Sequence, residues 1–174
     1  MRILIINYTR IGDCVLSTAL INHLIKQYPS SKISIVTSSI SEGIFRKMPL
    51  LDKLFVVDKQ KYSLHWYKIW KLVFPYKWDL TIDLRSSYLS YLIRTKRRKI
   101  FKGHEDTHKV EQLKKFYNID NKILLSIWAD EEDKTRGKKM VEGIGPLIAI
   151  SPFSSFRYKD WPIKNYINLL NNNY

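Results

Sequence analysis

The chain of 174 residues carries a single cysteine, Cys14. No intramolecular disulfide can form, which excludes the disulfide-framework folds of small secreted domains and fits a reducing compartment. Its six glycines nowhere make the three-glycine dinucleotide fingerprint or stand ahead of a Lys-Ser/Thr pair as in a P-loop. No run approaches the roughly 20 apolar residues that cross a bilayer. The apolar stretch before Thr9 is too short for the core and cleavage site of a signal peptide. A cytoplasmic protein is expected, at most touching a membrane surface. Acids are scarce, with 16 Asp plus Glu against 30 Lys plus Arg and a formal charge of +14. A field of that sign favours phosphorylated substrates, anionic lipid or nucleic acid. A coding bias toward lysine, spread over a solvated face, would give the same excess. The 45% hydrophobic and 26% charged fractions are those of a globular chain.

What the sequence does have is concentrated near its start. Residues 1–7 read Met-Arg-Ile-Leu-Ile-Ile-Asn, a continuous apolar run of the kind buried on both faces of a parallel sheet. After Tyr8-Thr9-Arg10-Ile11-Gly12-Asp13, apolar residues recur at helical spacing (Val15, Leu16, Ala19, Leu20, Leu24, Ile25) up to Tyr28-Pro29. Strand, turn and helix in that order open an α/β nucleotide-binding type of domain, and the turn lies at the strand's carboxyl end, where such sheets bind ligands. Asp13 has two readings there. One is a helix cap whose carboxylate accepts a backbone N–H against the positive dipole end. The other is a general base at the mouth of a cleft, with Gly12 admitting a substrate hydroxyl close to the backbone. Cys14 sits where a helix start would lower a thiol pKa, but Asp13 beside it works against a thiolate.

Arg10-Ile11-Gly12-Asp13, a small-residue helix and Tyr28-Pro29 together resemble the start of the lipopolysaccharide heptosyltransferases, glycosyltransferase family 9. A second match lies at Pro152 and Lys159-Asp160-Trp161-Pro162, which resembles the entry to that family's second domain. Where the family carries glycine after the proline, this chain has Phe153. The resemblance implies a GT-B enzyme of two Rossmann-like domains that passes heptose from ADP-heptose to the lipopolysaccharide inner core. It implies that Asp13 is the catalytic base and that Arg10, Gly12 and Arg85 lie on the acceptor side. The hydroxyls of Ser154 and Ser155, with Lys159, would meet the donor diphosphate at a helix N-terminus. No cofactor and no metal is implied.

Further along, 32–37 and 54–57 read as the second and third strands, with a short helix at 41–46 between them, giving a βαβαβ rhythm and a parallel sheet. Residues 62–74 mix Trp66, Tyr67, Trp70 and Phe74 with Lys68 and Lys71. They form either a helix packing a Trp66/Trp70 stripe on the sheet or an interfacial surface for anionic lipid. A fourth strand at 79–84 leads into Arg85. From 85 to 102 there are seven Lys or Arg and no acid. The run 96–99 is expected to be a turn, basic because it meets phosphate or because it is solvated, and Ile100-Phe101 a brief strand. His104-Glu105-Asp106-Thr107-His108 has the letters of a zinc-protease motif, but Asp106 and Thr107 predict an N-cap for a helix over 108–117, which leaves His104 outside it and spoils the metal geometry. His108 is better explained by the heptosyltransferase resemblance. His23 and His65 have no partner in the pattern and read as ordinary helix or surface residues.

The acids at 130–133 precede Lys134, Arg136, Lys138 and Lys139, a charge order suited to a helix dipole. The expected division is an acceptor-side Rossmann-like domain at 1–142, then a linker and the start of a nucleotide-sugar domain at 143–174. That start is a strand at 146–151, a loop, and a helix from Trp161-Pro162. A two-Rossmann enzyme needs about twice this length, so a truncated chain is expected, with a partner chain as one source of the remainder. Three function classes stay open. The first is a heptosyltransferase. The second is a non-catalytic remnant or module binding anionic core lipid, and the third is a nucleic-acid binder, whose affinity would fall steeply with salt.

Overall fold

The computed structural model describes residues 1–103, 106–145, 147–152, 158 and 160–173. Five strands, β1 (Arg2–Ile6), β2 (Lys32–Thr37), β3 (Leu51–Val56), β4 (Trp78–Asp83) and β5 (Thr95–Ile100), form one sheet in the order β3-β2-β1-β4-β5. Every pairing is parallel, with Ile6 opposite Val36 on one side and Asp83 on the other. The apolar run of β1 places it at the centre, where Ile3 to Ile6 are fully buried.

Alternation along the central strands divides the core into two layers. Ile3, Ile5, Ile33, Ile35, Leu80 and Ile82 pack with Leu20, Ile21 and Leu24 of α1 (Ile11–Gln27), Phe45 of α2 (Glu42–Phe45) and Leu113 of α4 (Lys109–Tyr117). Leu4, Ile6 and Val36 point the other way, onto Ile69 and Val73 of α3 (Leu64–Val73) and onto Leu89 and Ile93. Each such fully buried aliphatic side chain contributes about 1.5–3 kcal/mol.

The connections leave β1 toward β2 with helices on one face, and return to β4 through α3 on the other. The strand order therefore reverses between β1 and β4. A doubly wound sheet opens a crevice at that point, beyond the strand ends.

The run 96–99 is strand, not turn. Arg97, Arg98 and Lys99 pair with Leu80, Thr81 and Ile82 of β4. Its cations are those of an edge strand, where charge blocks further pairing. Lys96 meets Asp79 at 2.7 Å, Arg98 Nε donates to the Ser90 carbonyl at 2.6 Å, and Lys99 Nζ lies 4.7 Å from the Tyr117 ring centre. On α3 the stripe buried against the sheet is His65, Ile69 and Val73, so Trp66 and Trp70 lie half-buried on its flank. His108, rather than Asp106 or Thr107, caps α4, its Nδ1 accepting from the Val110 N–H at 3.3 Å. His104 and Glu105 lie outside the described residues.

The chain divides into two compact units, Met1–Asp133 and Lys134–Tyr174. In the first, Asp130 Oδ1 accepts from the Asp133 N–H at 2.9 Å at the start of α5 (Glu131–Val141), and Lys47 forms ion pairs with Asp130 and Asp133. The second contains α6 (Ile163–Asn173), where the Trp161 and Tyr166 rings meet edge to face at 4.8 Å. Of the strand expected at 146–151, residue 146 lies outside the described residues and 147–151 form no strand. A strand exists only as part of a ladder, and the described residues of that unit offer it no neighbour.

Candidate active site at the strand reversal

The turn after β1 is held from three sides. Asn7 is buried; its Nδ2 donates to Ser17 Oγ at 2.9 Å and its Oδ1 accepts from the Tyr8 N–H at 2.8 Å. Cys14 Sγ donates to the Tyr8 carbonyl at 3.2 Å, and Ser38 Oγ donates to the Thr9 carbonyl at 3.0 Å. Ser41 Oγ completes a buried hydroxyl cluster, 2.8 Å from Thr37 Oγ1 and 2.9 Å from Ser38 Oγ. Burial raises the Cys14 thiol pKa, against hydrogen bonds from Ser41 and Thr37 that lower it. Cys14 is therefore a structural thiol that fastens the turn.

Arg10 is the N-cap of α1, and no side chain caps that helix start. The capping reading of Asp13 does not hold. Asp13 is the third residue of the helix, half-buried, and among the described residues its carboxylate accepts no hydrogen bond and joins no ion pair. The N–H groups of the first turn remain as free donors beside it. Arg10 and Gly12 are exposed on the same turn, and a Cβ placed on Gly12 would meet nothing within 4 Å. Openness rather than a tight approach characterises that glycine.

Across the reversal, Asp83 ends β4 and is fully buried. Its carboxylate accepts from the Arg85 N–H and the Ser87 N–H, each at 2.8 Å, and from Ser87 Oγ at 2.5 Å. That network folds residues 84–87 back on themselves, with Ser86 in the left-handed region at φ 55°. It sends the Arg85 guanidinium over the Trp66 ring, 4.2 Å from its centre. Burial draws the Arg85 pKa down, and the charge of Asp83 opposes that shift. Tyr8 stands between the two strand ends. Burial, then the charges of Asp13, Asp83 and Cys14, push its phenol upward, and among the described residues the buried hydroxyl has no hydrogen-bond partner.

Arg10, Gly12, Asp13 and Arg85 are thus brought to one edge of the sheet by adjacent strands. Ser154, Ser155 and Lys159 lie outside the described residues. Asp83, which the sequence pattern marks only as part of a strand, also belongs to this candidate site, and Trp66 joins it as the ring beneath Arg85. An aspartate closing a buried strand, with Ser87 four positions on, was the signal for the first, because Asp side chains bond the backbone a few residues ahead. No group of three or more His, Cys, Asp or Glu among the described residues is arranged to hold a metal. No helix among them is long and apolar enough to cross a membrane.

His65 and His23 carry a pH prediction. Burial lowers the His65 pKa, with Arg85 and Lys59 adding to it, and burial then Lys26 lowers that of His23. With folded pKa values below the unfolded one of about 6.5, the unfolded chain binds more protons between the two values. Stability is then full above the unfolded pKa and falls as pH drops through that window. Urea unfolding is expected to give lower stability at pH 5 than at pH 7.5, with a shallower slope in His65→Gln. Equal stability at both pH values would contradict it.

The geometry is that of a Rossmann-like domain whose strand reversal carries, among the described residues, an unpaired carboxylate beyond one strand end and a guanidinium beyond the next. The solved structures of similar shape are glycosyltransferases of the GT-B kind, and the architecture is that of their N-terminal part. A glycosyl transferase family 9 protein from Veillonella parvula matches with a TM-score of 0.77 at 19% identity, over 97% of this chain and 58% of its own. The ADP-heptose lipopolysaccharide heptosyltransferase II of E. coli matches at 0.71 and 16% identity, over 99% of this chain and 61% of its own. The E. coli heptosyltransferase WaaC with ADP matches at 0.67 and 12% identity, over 99% and 64%. The chain therefore spans about three-fifths of the length of the structures it resembles. No family profile matches the sequence, and no curated protein does.

Proposed function

We propose that the chain is the acceptor-side part of a family 9 heptosyltransferase, acting on ADP-heptose and a lipopolysaccharide core acceptor at the cytoplasmic side of the inner membrane. The observation that carries this reading is the Asp13 carboxylate. It is half-buried on the first turn of α1, beside the strand reversal, and among the described residues no group bonds to it. In the proposed reaction the acceptor oxygen attacks the anomeric carbon of heptose as ADP departs, and Asp13 takes the hydroxyl proton. Arg85 holds an anionic group of the acceptor. Lys159, with Ser154 and Ser155, meets the charge growing on the leaving diphosphate. The solved heptosyltransferases of this fold include one with ADP and one with ADP-2-deoxy-2-fluoro heptose, which supports a nucleotide-sugar donor.

Calorimetric titration of ADP and then ADP-heptose into the purified chain tests the donor half of the reading. Binding is expected, and Lys159→Ala is expected to abolish it. Absence of binding would overturn donor recognition by this chain alone and leave an acceptor-side module that needs a partner chain. Nucleic-acid binding is separated by its salt slope, since neutralised phosphates make affinity fall steeply between about 50 and 200 mM salt.

A further inference from the structure

We propose that the face formed by α3 and residues 86–92 is a docking surface for an anionic lipid bilayer. It adds a surface to the peripheral location proposed above. Trp66, Tyr67 and Trp70 on α3, with Arg85, Tyr88 and Leu92 opposite, line a cavity of about 630 Å³ whose walls are largely apolar. Around it the chain leaves large aromatic and apolar side chains open to solvent. Tyr62 is 93% exposed, Tyr88 89%, Leu92 63% and Tyr67 61%. Tyr62 and Ser63 hold the left-handed region at φ 53° and 59° just before the helix, so a strained backbone presents a ring to solvent.

Charge decides the occupant. Residues 59–78 contain no acid, and neither do residues 84–103. Lys61, Lys68, Lys71 and Arg94 are exposed on these segments. Carboxylates that flank these segments in sequence are already engaged. Asp58 accepts from the Ser39 N–H and Oγ, Asp83 is buried in its hydrogen bonds, and Asp79 is paired with Lys96. A protein partner would meet this cationic aromatic face with acids at particular places. A bilayer meets it with a field of anionic headgroups over an apolar interior, where Tyr and Trp rings settle at the boundary and lysines reach the phosphates. At ten residues, α3 lies on such a surface rather than crossing it.

The test is co-sedimentation of the full chain with vesicles of phosphatidylcholine alone and with 30 mol% phosphatidylglycerol, at about physiological salt. Binding is expected only with the anionic lipid. Tyr88→Ser/Leu92→Ser and Lys68→Glu/Lys71→Glu, at exposed positions, are each expected to weaken it at least tenfold with unchanged circular dichroism. Arg97→Glu, on the exposed edge strand β5, is the control and should leave it nearly unchanged. No binding to anionic vesicles would overturn the proposal, as would equal loss in the Arg97 variant, which would make it an effect of net charge alone. Retained binding in Tyr88→Ser/Leu92→Ser would overturn it too. None of these readouts uses the donor or Asp13, so failure here leaves the proposed transfer reaction standing.

Discussion

Asp13→Asn is expected to lower the proposed heptose transfer by about 10²- to 10⁴-fold, the usual contribution of a positioned general base. Two features make this a clean substitution. The carboxylate supports nothing in the fold, accepting no hydrogen bond among the described residues. The amide is the same size and keeps an oxygen toward the helix start. The only stability expected to be lost is the dipole interaction of an acid in a first turn, about 0.3–1 kcal/mol. A variant that unfolds near the wild-type temperature and binds donor normally, yet releases ADP slowly with acceptor present, would place Asp13 in the chemical step. A KM-against-kcat split separates this from a binding role, since loss of the base should lower kcat while the acceptor KM holds. Wild-type turnover in Asp13→Asn would remove the base assignment.

How much of this was legible in the sequence depends on whether a residue's neighbours along the chain were also its neighbours in space. β1 was legible because Ile3 to Ile6 form an unbroken apolar run, and α1 because its apolar positions repeat at helical spacing. The bounds of β2 coincide with the expected 32–37. The strand β5 was illegible because Lys96 to Lys99 carry no apolar alternation. Their membership of the sheet is decided by the backbone of β4, which no local pattern reveals. The same limit hid the inward stripe of α3. Trp66 and Trp70 are its bulkiest residues, but packing selected His65, Ile69 and Val73, a polar residue among them, because the sheet lies on that side. At the site, Asp13 stood out as an acid after glycine at a strand end. Its freedom from any cap could be seen only once Arg10 took the N-cap position.

Asp83→Ala is expected to produce the largest loss of stability, about 3–5 kcal/mol, because three donors lose one buried acceptor at once. The Arg85 N–H, the Ser87 N–H and the Ser87 hydroxyl all donate to this carboxylate, and water does not reach it, since Asp83 is fully buried. Each donor left unpaired in such a place costs about 1–3 kcal/mol. For a chain of this size every kcal/mol is worth roughly 2–4 °C in Tm, so a fall of about 10 °C is the expected reading in calorimetry. Ser87→Ala removes only one of the three bonds and should cost about 1–2 kcal/mol. Asp83→Asn should fall between them, because its amide keeps one oxygen to accept and turns an NH₂ toward a donor. The same deletion frees residues 84–87, and with them the Arg85 guanidinium that lies over Trp66. Quenching or recovery of tryptophan fluorescence on titrating an anionic ligand would then be lost at temperatures where Asp83→Ala is still folded. A cost below about 1 kcal/mol would fall under that of a single unpaired donor and mean that the loop holds its shape without the carboxylate. Asp83 would then be free, like Asp13, for a role in the crevice.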